Sequence, residues 1–295
     1  MRSMMRYLTL ICLGLTWATA NAQEINETLD ADPRGEVHVS NTAGSVEVTG
    51  WSRNEVEVTG ELGRGVEELI FERDDDEILI KVQVPRRHSR RIASDLEIRV
   101  PNASSLSVNT VSADIEISDV QGELELESVS GDIATEVYGG DIEAASVSGD
   151  LEIEGDGKDI HSRLVTVSGD IESEKLHGEI EAESVSGDIL IVEGDFERAS
   201  ANSVNGEIVF HAVLRGDGRL DIETINGEVD VEFANDVSAR FDIETFNGSI
   251  NNCFGPEPVR TSRYTPGWEL SFTEGGGSGR VSIQTLNGDL RLCKD

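Results

Sequence analysis

Gly122-Glu-Leu-Glu-Leu-Glu-Ser-Val-Ser-Gly-Asp-Ile133 is the stretch that decides the fold. Leu124 and Leu126 alternate with glutamates, which is the period of a strand with one buried face and one solvated face. The next apolar residue, Val129, follows after three positions instead of two, so we expect a corner or bulge near Ser128. The glycine that comes next relieves this corner, where a side chain would be strained. The segment therefore predicts a strand, a corner and the beginning of a second strand.

The same pattern recurs along the chain at intervals of 18 to 21 residues, apart from one final interval of 40. A period of this length is typical of stacked repeat architectures. The sequence therefore predicts an all-β fold, a single-chain β-solenoid of stacked coils of about 18–21 residues with a strand-rich N-terminal cap. The Val-Ser-Gly-Asp copies lie at 129–132, 147–150, 167–170 and 185–188, and looser copies begin at 111, 204, 225, 246 and 286.

Equivalent residues in stacked coils form ladders with a spacing of about 4.8 Å. We expect two apolar ladders to build the core of the solenoid. The ladder two residues after the repeat glycine consists of Ile115, Ile133, Leu151, Ile171, Ile189, Ile208, Val229, Ile250 and Leu290. The ladder two residues before it consists of Val111, Val129, Val147, Val167, Val185, Val204, Ile225, Phe246 and Leu286.

The two ends of the chain depart from the repeat. Arg2 and Arg6, a short apolar run at 8–15 and small-residue sites ending at Ala20 and Ala22 are arranged as in a secretory signal peptide. A membrane anchor is the alternative, but the run is shorter than the roughly 20 residues that a spanning helix needs. We expect an exported protein of the periplasm or cell surface, with no transmembrane segment in the mature chain. The predicted division is 1–22 signal peptide, 23–35 linker, 36–105 N-terminal β cap region, 106–253 β-solenoid repeats, 254–280 inserted hairpin or loop, and 281–295 terminal coil.

The chain is strongly acidic, with a formal net charge of −34. Such a surface repels nucleic acid and attracts cations and basic partners, so nucleic-acid binding is excluded. Arg86–Arg91 is a basic run on this acidic background. We expect a solvated loop there, and the alternative is a contact with anionic sugars or lipid phosphates.

An acidic residue follows most of the repeat glycines, so stacking would align carboxylates on neighbouring strands, where like charges repel. Backbone N–H groups at the corners could bind the carboxylate oxygens, which requires no ligand. Calcium is the alternative, because carboxylates suit a hard cation. The Gly-Gly-x-Gly-x-Asp signature of calcium-binding β-rolls is absent, which favours the first arrangement. The calcium candidates are Asp132, Asp150, Asp170 and Asp188, and no other cofactor is expected.

Catalysis finds little support in the sequence. A Ser or Thr lies three residues before each repeat glycine, and we expect this row to form a hydrogen-bonded ladder. None of its members is distinguished from the other copies, as a nucleophile would be. The five histidines share no spacing typical of metal ligands. We therefore predict no catalytic residue and no enzyme.

Cys253 and Cys293 each lie five residues after the glycine of their repeat, Gly248 and Gly288. If those two repeats are stacked neighbours, the Cα atoms are about 4.8 Å apart and within disulfide range. If the interval between them hides a full coil, they are about 9.6 Å apart and cannot bond. An oxidising compartment favours the bond, so we predict the disulfide.

The Val-Ser-Gly-Asp-Ile copies, with the variants Thr245-Phe-Asn-Gly248 and Thr285-Leu-Asn-Gly288, resemble the bacterial putative-adhesin family, an exported β-strand-repeat domain of unknown function. The likeness covers about residues 36–293. It implies a stacked-strand fold and an adhesive role, and it brings no catalytic residue. We expect a non-enzymatic envelope or surface protein, an adhesin-like binding or scaffold solenoid whose partner is a protein or a polysaccharide. A periplasmic envelope-stress accessory or scaffold is the alternative, and a polysaccharide-acting β-solenoid enzyme is less favoured.

Overall fold

The computed structural model describes residues 23–85, 91–262 and 266–294. Within these ranges the chain folds entirely into β-strands and turns, without a helix, so the all-β prediction is confirmed. The predicted signal peptide (1–22) and residues 86–90 of the basic run lie outside the described residues.

The repeat region is built from parallel strand pairs in register. Leu124 pairs with Leu106 on one side and with Ile142 on the other, so equivalent residues of neighbouring repeats lie side by side. Each repeat contributes one strand before its glycine, which we call face A, and one strand after it, which we call face B. The N-terminal strands are β1 (Gln23–Asp30), β2 (Glu36–Trp51), β3 (Glu55–Leu62), β4 (Glu68–Asp74), β5 (Glu77–Gln83) and β6 (Ser94–Pro101). The strands of the repeat region are β7 (Ser105–Ser118), β8 (Leu124–Ser128), β9 (Ile133–Val137), β10 (Ile142–Ser146), β11 (Leu151–Gly155), β12 (Asp159–Thr166), β13 (Ile171–Glu174), β14 (His177–Ser184), β15 (Ile189–Asn205), β16 (Ile208–Asn226), β17 (Val229–Phe233), β18 (Ala239–Asn247) and β19 (Ile250–Asn252).

The last repeat does not stack at the end of the molecule. β22 (Gly279–Asn287) lies between β16 and β18 and pairs in parallel with both, while β23 (Leu290–Lys294) lies between β17 and β19. The chain first passes through the hairpin of β20 (Val259–Arg260) and β21 (Trp268–Thr273), which pairs antiparallel with the outer side of β18. It then returns to fill the gap between two repeats that are consecutive in sequence.

Antiparallel strands cover the ends of the parallel stack. β2 pairs in parallel with β7 and also with β5 and β6, so part of the predicted cap region (36–105) continues the repeat pairing. β4, β3 and β1 then add antiparallel strands outside it. Residues 23–35 were expected as a linker, and this is wrong for β1, because its backbone groups pair along the whole length of β3. An exposed sheet edge invites pairing with other chains, and these strands cover the edges of the parallel strands β5 and β6.

Only one of the two predicted apolar ladders is buried. The ladder after the glycine lies in the core, from Ile115 at 1% exposure to Leu290 at 1%. The ladder before the glycine was expected in the core and is exposed, with Val129 at 45%. The reason is that inward and outward positions continue to alternate through Ser128, which takes the inward place at 5% exposure and turns Val129 to solvent.

Candidate binding surface

Among the described residues, nine of the eleven exposed large apolar side chains form one continuous line along the corner between face A and face B, here called the apolar stripe. Neighbouring members lie on hydrogen-bonded strands, so the spacing is about 4.8 Å and the whole stripe is about 38 Å long. Each member is between 36% and 48% exposed. In spatial order, with the inserted last repeat in its place, the stripe consists of Val111, Val129, Val147, Val167, Val185, Val204, Ile225, Leu286 and Phe246.

Buried hydroxyl groups determine the shape of the corner beneath the stripe. Ser128 Oγ accepts the N–H of Gly131 at 2.8 Å, and Ser146 Oγ accepts that of Gly149 at 2.9 Å. Thr166 Oγ1 donates to the carbonyl of Gly149 in the preceding repeat at 3.3 Å. The hydroxyl row predicted as a hydrogen-bonded ladder has one direct step, from Thr110 Oγ1 to Ser128 Oγ at 3.0 Å, and otherwise bonds mainly to glycine backbone groups. These bonds satisfy polar groups that would be costly to bury alone.

The acidic residues that follow the repeat glycines, on the other side of the corner, form hydrogen bonds with the backbone of neighbouring repeats. The Asp132 carboxylate accepts the N–H of Asp150 at 3.0 Å, and Asp150 accepts the N–H of Asp170 at 2.9 Å. Asp170 accepts the N–H of Asp188 at 2.8 Å in the same way. The described residues contain no group of three or more His, Cys, Asp or Glu side chains that could hold a metal ion. Asp188 accepts the N–H of Glu207 at 2.7 Å, so each of the four calcium candidates binds the backbone of the next repeat.

A second type of ladder takes over in the later repeats, where Asn replaces Ser before the glycine. Asn226 Nδ2 donates to Asn205 Oδ1 at 2.9 Å, and Asn287 Nδ2 donates to Asn226 Oδ1 at 2.8 Å. Asn247 Nδ2 continues to Asn287 Oδ1 at 2.8 Å. Amide side chains both donate and accept, so they link stacked repeats without accumulating charge.

A groove of about 960 Å³ runs beside the C-terminal part of the stripe. One wall is the stripe itself from Val167 to Phe246, and the floor is the hydroxyl row. The other wall consists of outward residues of face A. Thr261 and Gly267, next to the β20–β21 hairpin, close one end. The inserted repeat contributes Leu286, so the groove is complete only when β22 is in place.

The groove is negatively charged as well as apolar. Glu183, Asp221, Glu223 and Glu244 line it, and no described lining residue is Lys, Arg or His. None of these four carboxylates forms a close ion pair in the described part of the chain, although Arg163 interacts electrostatically with Glu183. The surface therefore combines a line of aliphatic and aromatic side chains with a border of carboxylates, which suits a ligand that is both apolar and basic.

The opposite corner of the repeats carries an ion-pair cluster. Arg215 bonds the carboxylates of Asp159, Asp195 and Glu197, which belong to two earlier repeats. The hydrogen bond from Arg215 holds the pKa of Asp159 below its usual value, and the same bond raises the pKa of Arg215. With its donors occupied by three carboxylates, Arg215 serves to link repeats across this corner.

Cys253 and Cys293 form a disulfide in the structure, with their Cα atoms 4.8 Å apart. The bond joins the segment after β19 to β23, so it links the inserted repeat to the outermost one. The two repeats are 40 residues apart in sequence but adjacent in space. Cross-linking a loop of this length stabilises a fold by about 3–4 kcal/mol in the chain-entropy model.

The disulfide gives the first testable prediction. Reduction of the purified protein is expected to raise its intact mass by about two hydrogen atoms and to lower its melting temperature, because the cross-link constrains the unfolded chain. Mass spectrometry and thermal unfolding with and without reductant measure both effects. The Cys253→Ser variant is the control, and reductant should change neither its mass nor its melting temperature. An unchanged mass of the parent protein on reduction would contradict the prediction.

Sequence reasoning identified the rows of equivalent residues but not the groove. Glu183, Glu223 and Glu244 belong to the row two residues before the stripe, which the repeat motif does not single out. Strict alternation from the buried Leu124 and Leu126 would have found both rows, since it places Glu127 and Val129 on the outside. Of the basic run, only Arg91 lies within the described residues.

Parallel in-register pairing of 18- to 21-residue repeats that carry an exposed apolar stripe defines an all-β repeat protein. The Toastrack DUF4097 model matches residues 34–182 and 178–292, and the chain belongs to this family. The sequence resemblance to the bacterial putative-adhesin family is thereby confirmed. Among curated proteins, none matches this chain.

Solved structures of low sequence identity are similar to this chain over most of its length. A protein of Parabacteroides distasonis described as a putative lipid binding protein is 15% identical, with a TM-score of 0.50 over 92% of this chain and 98% of the other. Putative adhesins of Bacteroides fragilis and Parabacteroides merdae are 10% and 11% identical, with TM-scores of 0.45 and 0.42, each covering 92% of this chain and 97% of the other. At these identities the likeness concerns the fold alone. In the described part of the chain no helix is long and apolar enough to span a membrane.

Proposed function

We propose that this chain is an exported β-solenoid of the cell envelope whose function is to bind a partner, as an adhesin-like or scaffold protein, without catalysis. The in-register pairing of equivalent residues supports the solenoid architecture. The membership in an adhesin-like family supports the binding role.

The apolar stripe is the observation that carries the proposal. Nine apolar side chains in one line, each 36–48% exposed, are unusual for a chain with 28% charged residues. Large contiguous apolar surfaces on soluble proteins mark sites of interaction. A fold that needed only stability would place polar residues at these outward positions, as it does at the glutamates of β8.

Site-specific photo-crosslinking in living cells tests the proposal. A photoreactive residue at Val185, on the stripe, is expected to produce a discrete high-mass adduct. The same residue at Glu152, an exposed position on face B, is the matched control and should give none. Equal labelling from both positions, or no adduct from Val185, would contradict a binding role for the stripe.

Protease treatment of the same cells before lysis locates the protein. Loss of the protein and its adduct from intact cells would place it on the surface and favour the adhesin-like role. Protection until the envelope is permeabilised would favour the periplasmic scaffold. Retention of both with the cytoplasmic fraction would contradict export.

A further inference from the structure

We propose that the groove beside the C-terminal half of the apolar stripe binds a basic amphipathic α-helix of a partner polypeptide. This inference rests on the proposed binding function and names the class of partner. The apolar wall of the groove, its charged border and the spacing of the repeats point to this class of partner.

The apolar wall is graded in size towards the closed end of the groove. It begins with Val167, Val185 and Val204, continues with Ile225 and Leu286, and ends with Phe246. Phe246 is 46% exposed and lies near Thr261 and Gly267, which close the groove. Large side chains in a partly enclosed position are the usual anchors of an interface. The partner therefore presents a line of apolar side chains.

The carboxylates that border the groove determine the sign of the charge that the partner must carry. Glu183, Asp221, Glu223 and Glu244 line the groove, and the exposed acidic row lies on the other side of the stripe. A second copy of this chain would bring the same carboxylates against them, and an anionic lipid headgroup would also be repelled. A partner with Lys or Arg beside its apolar residues complements both features.

The spacing of the stripe favours a helix over an extended strand. The stripe repeats about every 4.8 Å, whereas a helix repeats every 5.4 Å per turn and a strand presents same-side residues about every 6.8 Å. The groove extends over six repeats from Val167 to Phe246, which is about 24 Å and corresponds to about 16 helical residues. A helix with apolar residues at i, i+3, i+4 and i+7 would follow the stripe.

A synthetic peptide tests the proposal directly. The probe is a basic amphipathic peptide of about 16 residues with one Leu face and Lys flanks, held helical by an i,i+4 lactam bridge. Its binding to the full chain is measured by fluorescence anisotropy. Two peptides serve as controls. One carries a proline in place of its central residue and cannot form the helix, and the other is acidic, with Glu in place of Lys.

Two pairs of matched variants locate the site on the protein. Val185→Thr with Ile225→Thr is expected to weaken binding about tenfold, whereas Val129→Thr with Val147→Thr, equally exposed but outside the groove, should not. Glu223→Lys with Glu244→Lys should weaken binding about tenfold or more and reduce its salt dependence, whereas Glu152→Lys with Glu172→Lys on face B should not. Because all these side chains are exposed, the variants are expected to fold.

The outcomes separate this inference from the proposed function. Tight binding of the basic helix that is lost only in the groove variants supports the inference. Equal binding of the proline-containing or acidic peptide, or no effect of the groove variants, overturns it. If the peptide fails while Val185 still crosslinks a partner in cells, the class of partner is wrong and the binding function stands. If both fail, the binding function falls as well.

Discussion

Removal of residues 279–295 is expected to unfold the C-terminal part of the protein instead of shortening it by one repeat. β22 and β23 lie between two other repeats, so their loss leaves β16 and β17 facing β18 and β19 across an empty gap. It also removes Val281, Ile283, Leu290 and Leu292, which are all at most 1% exposed. Truncation of a single such side chain costs about 2–5 kcal/mol, and domains are stable by only about 5–15 kcal/mol.

Deletion of β1 (Gln23–Asp30) is the matched control for this truncation. β1 is also a terminal strand, but it pairs on one side only and buries a single large apolar residue, Ile25. Circular dichroism melts and amide hydrogen exchange should show a small change for the β1 deletion and loss of protection around Ile222 and Ile243 for the C-terminal truncation. Retained protection at these two residues after removal of 279–295 would contradict the intercalated arrangement.

Gly149→Ala is expected to destabilise the fold by about 3 kcal/mol or more, at the upper end of the range for overpacking. A Cβ atom at this position would lie 2.0 Å from the carbonyl oxygen of Gly131 in the neighbouring repeat. The carbonyl oxygen is a backbone atom and the Cβ position is fixed by the backbone of residue 149, so the contact cannot be relieved without separating two repeats. The requirement comes from this close approach, since the residue is not among those with positive φ.

Gly216→Ala provides the control, because a Cβ atom there would meet no other atom within 4 Å and φ is not positive. Thermal unfolding of both variants should show a melting temperature lower by about 6–12 °C for Gly149→Ala and nearly unchanged for Gly216→Ala. Equal melting temperatures would mean that the corner can open without cost, contrary to the close packing of the glycine row.

The regular part of the fold could be predicted because the signal is repeated. Each repeat contains the same local features, which are the alternation seen around Leu124 and Leu126 and a glycine about 18 residues after the last one. The strand assignment therefore does not depend on contacts between distant parts of the chain. The repeated pattern does not determine the direction of Val129, because an apolar residue at a corner can face inward or outward. The burial of Ser128 places Val129 on the outside.

The sequence by itself determined the all-β class, the length of the repeat, the buried ladder from Ile115 to Leu290 and the acidic character of the surface. These properties follow from local periodicity and composition. Only the tertiary structure decided the order of the last repeats, and with it the groove that includes Leu286. All repeats present nearly the same hydrogen-bonding edge, so the local pattern accepts either order. The five residues between β17 and β18 can span the distance to the adjacent strand position, about 4.8 Å away, or to the one beyond it. The packing of the complete chain decides which of these two positions β18 takes.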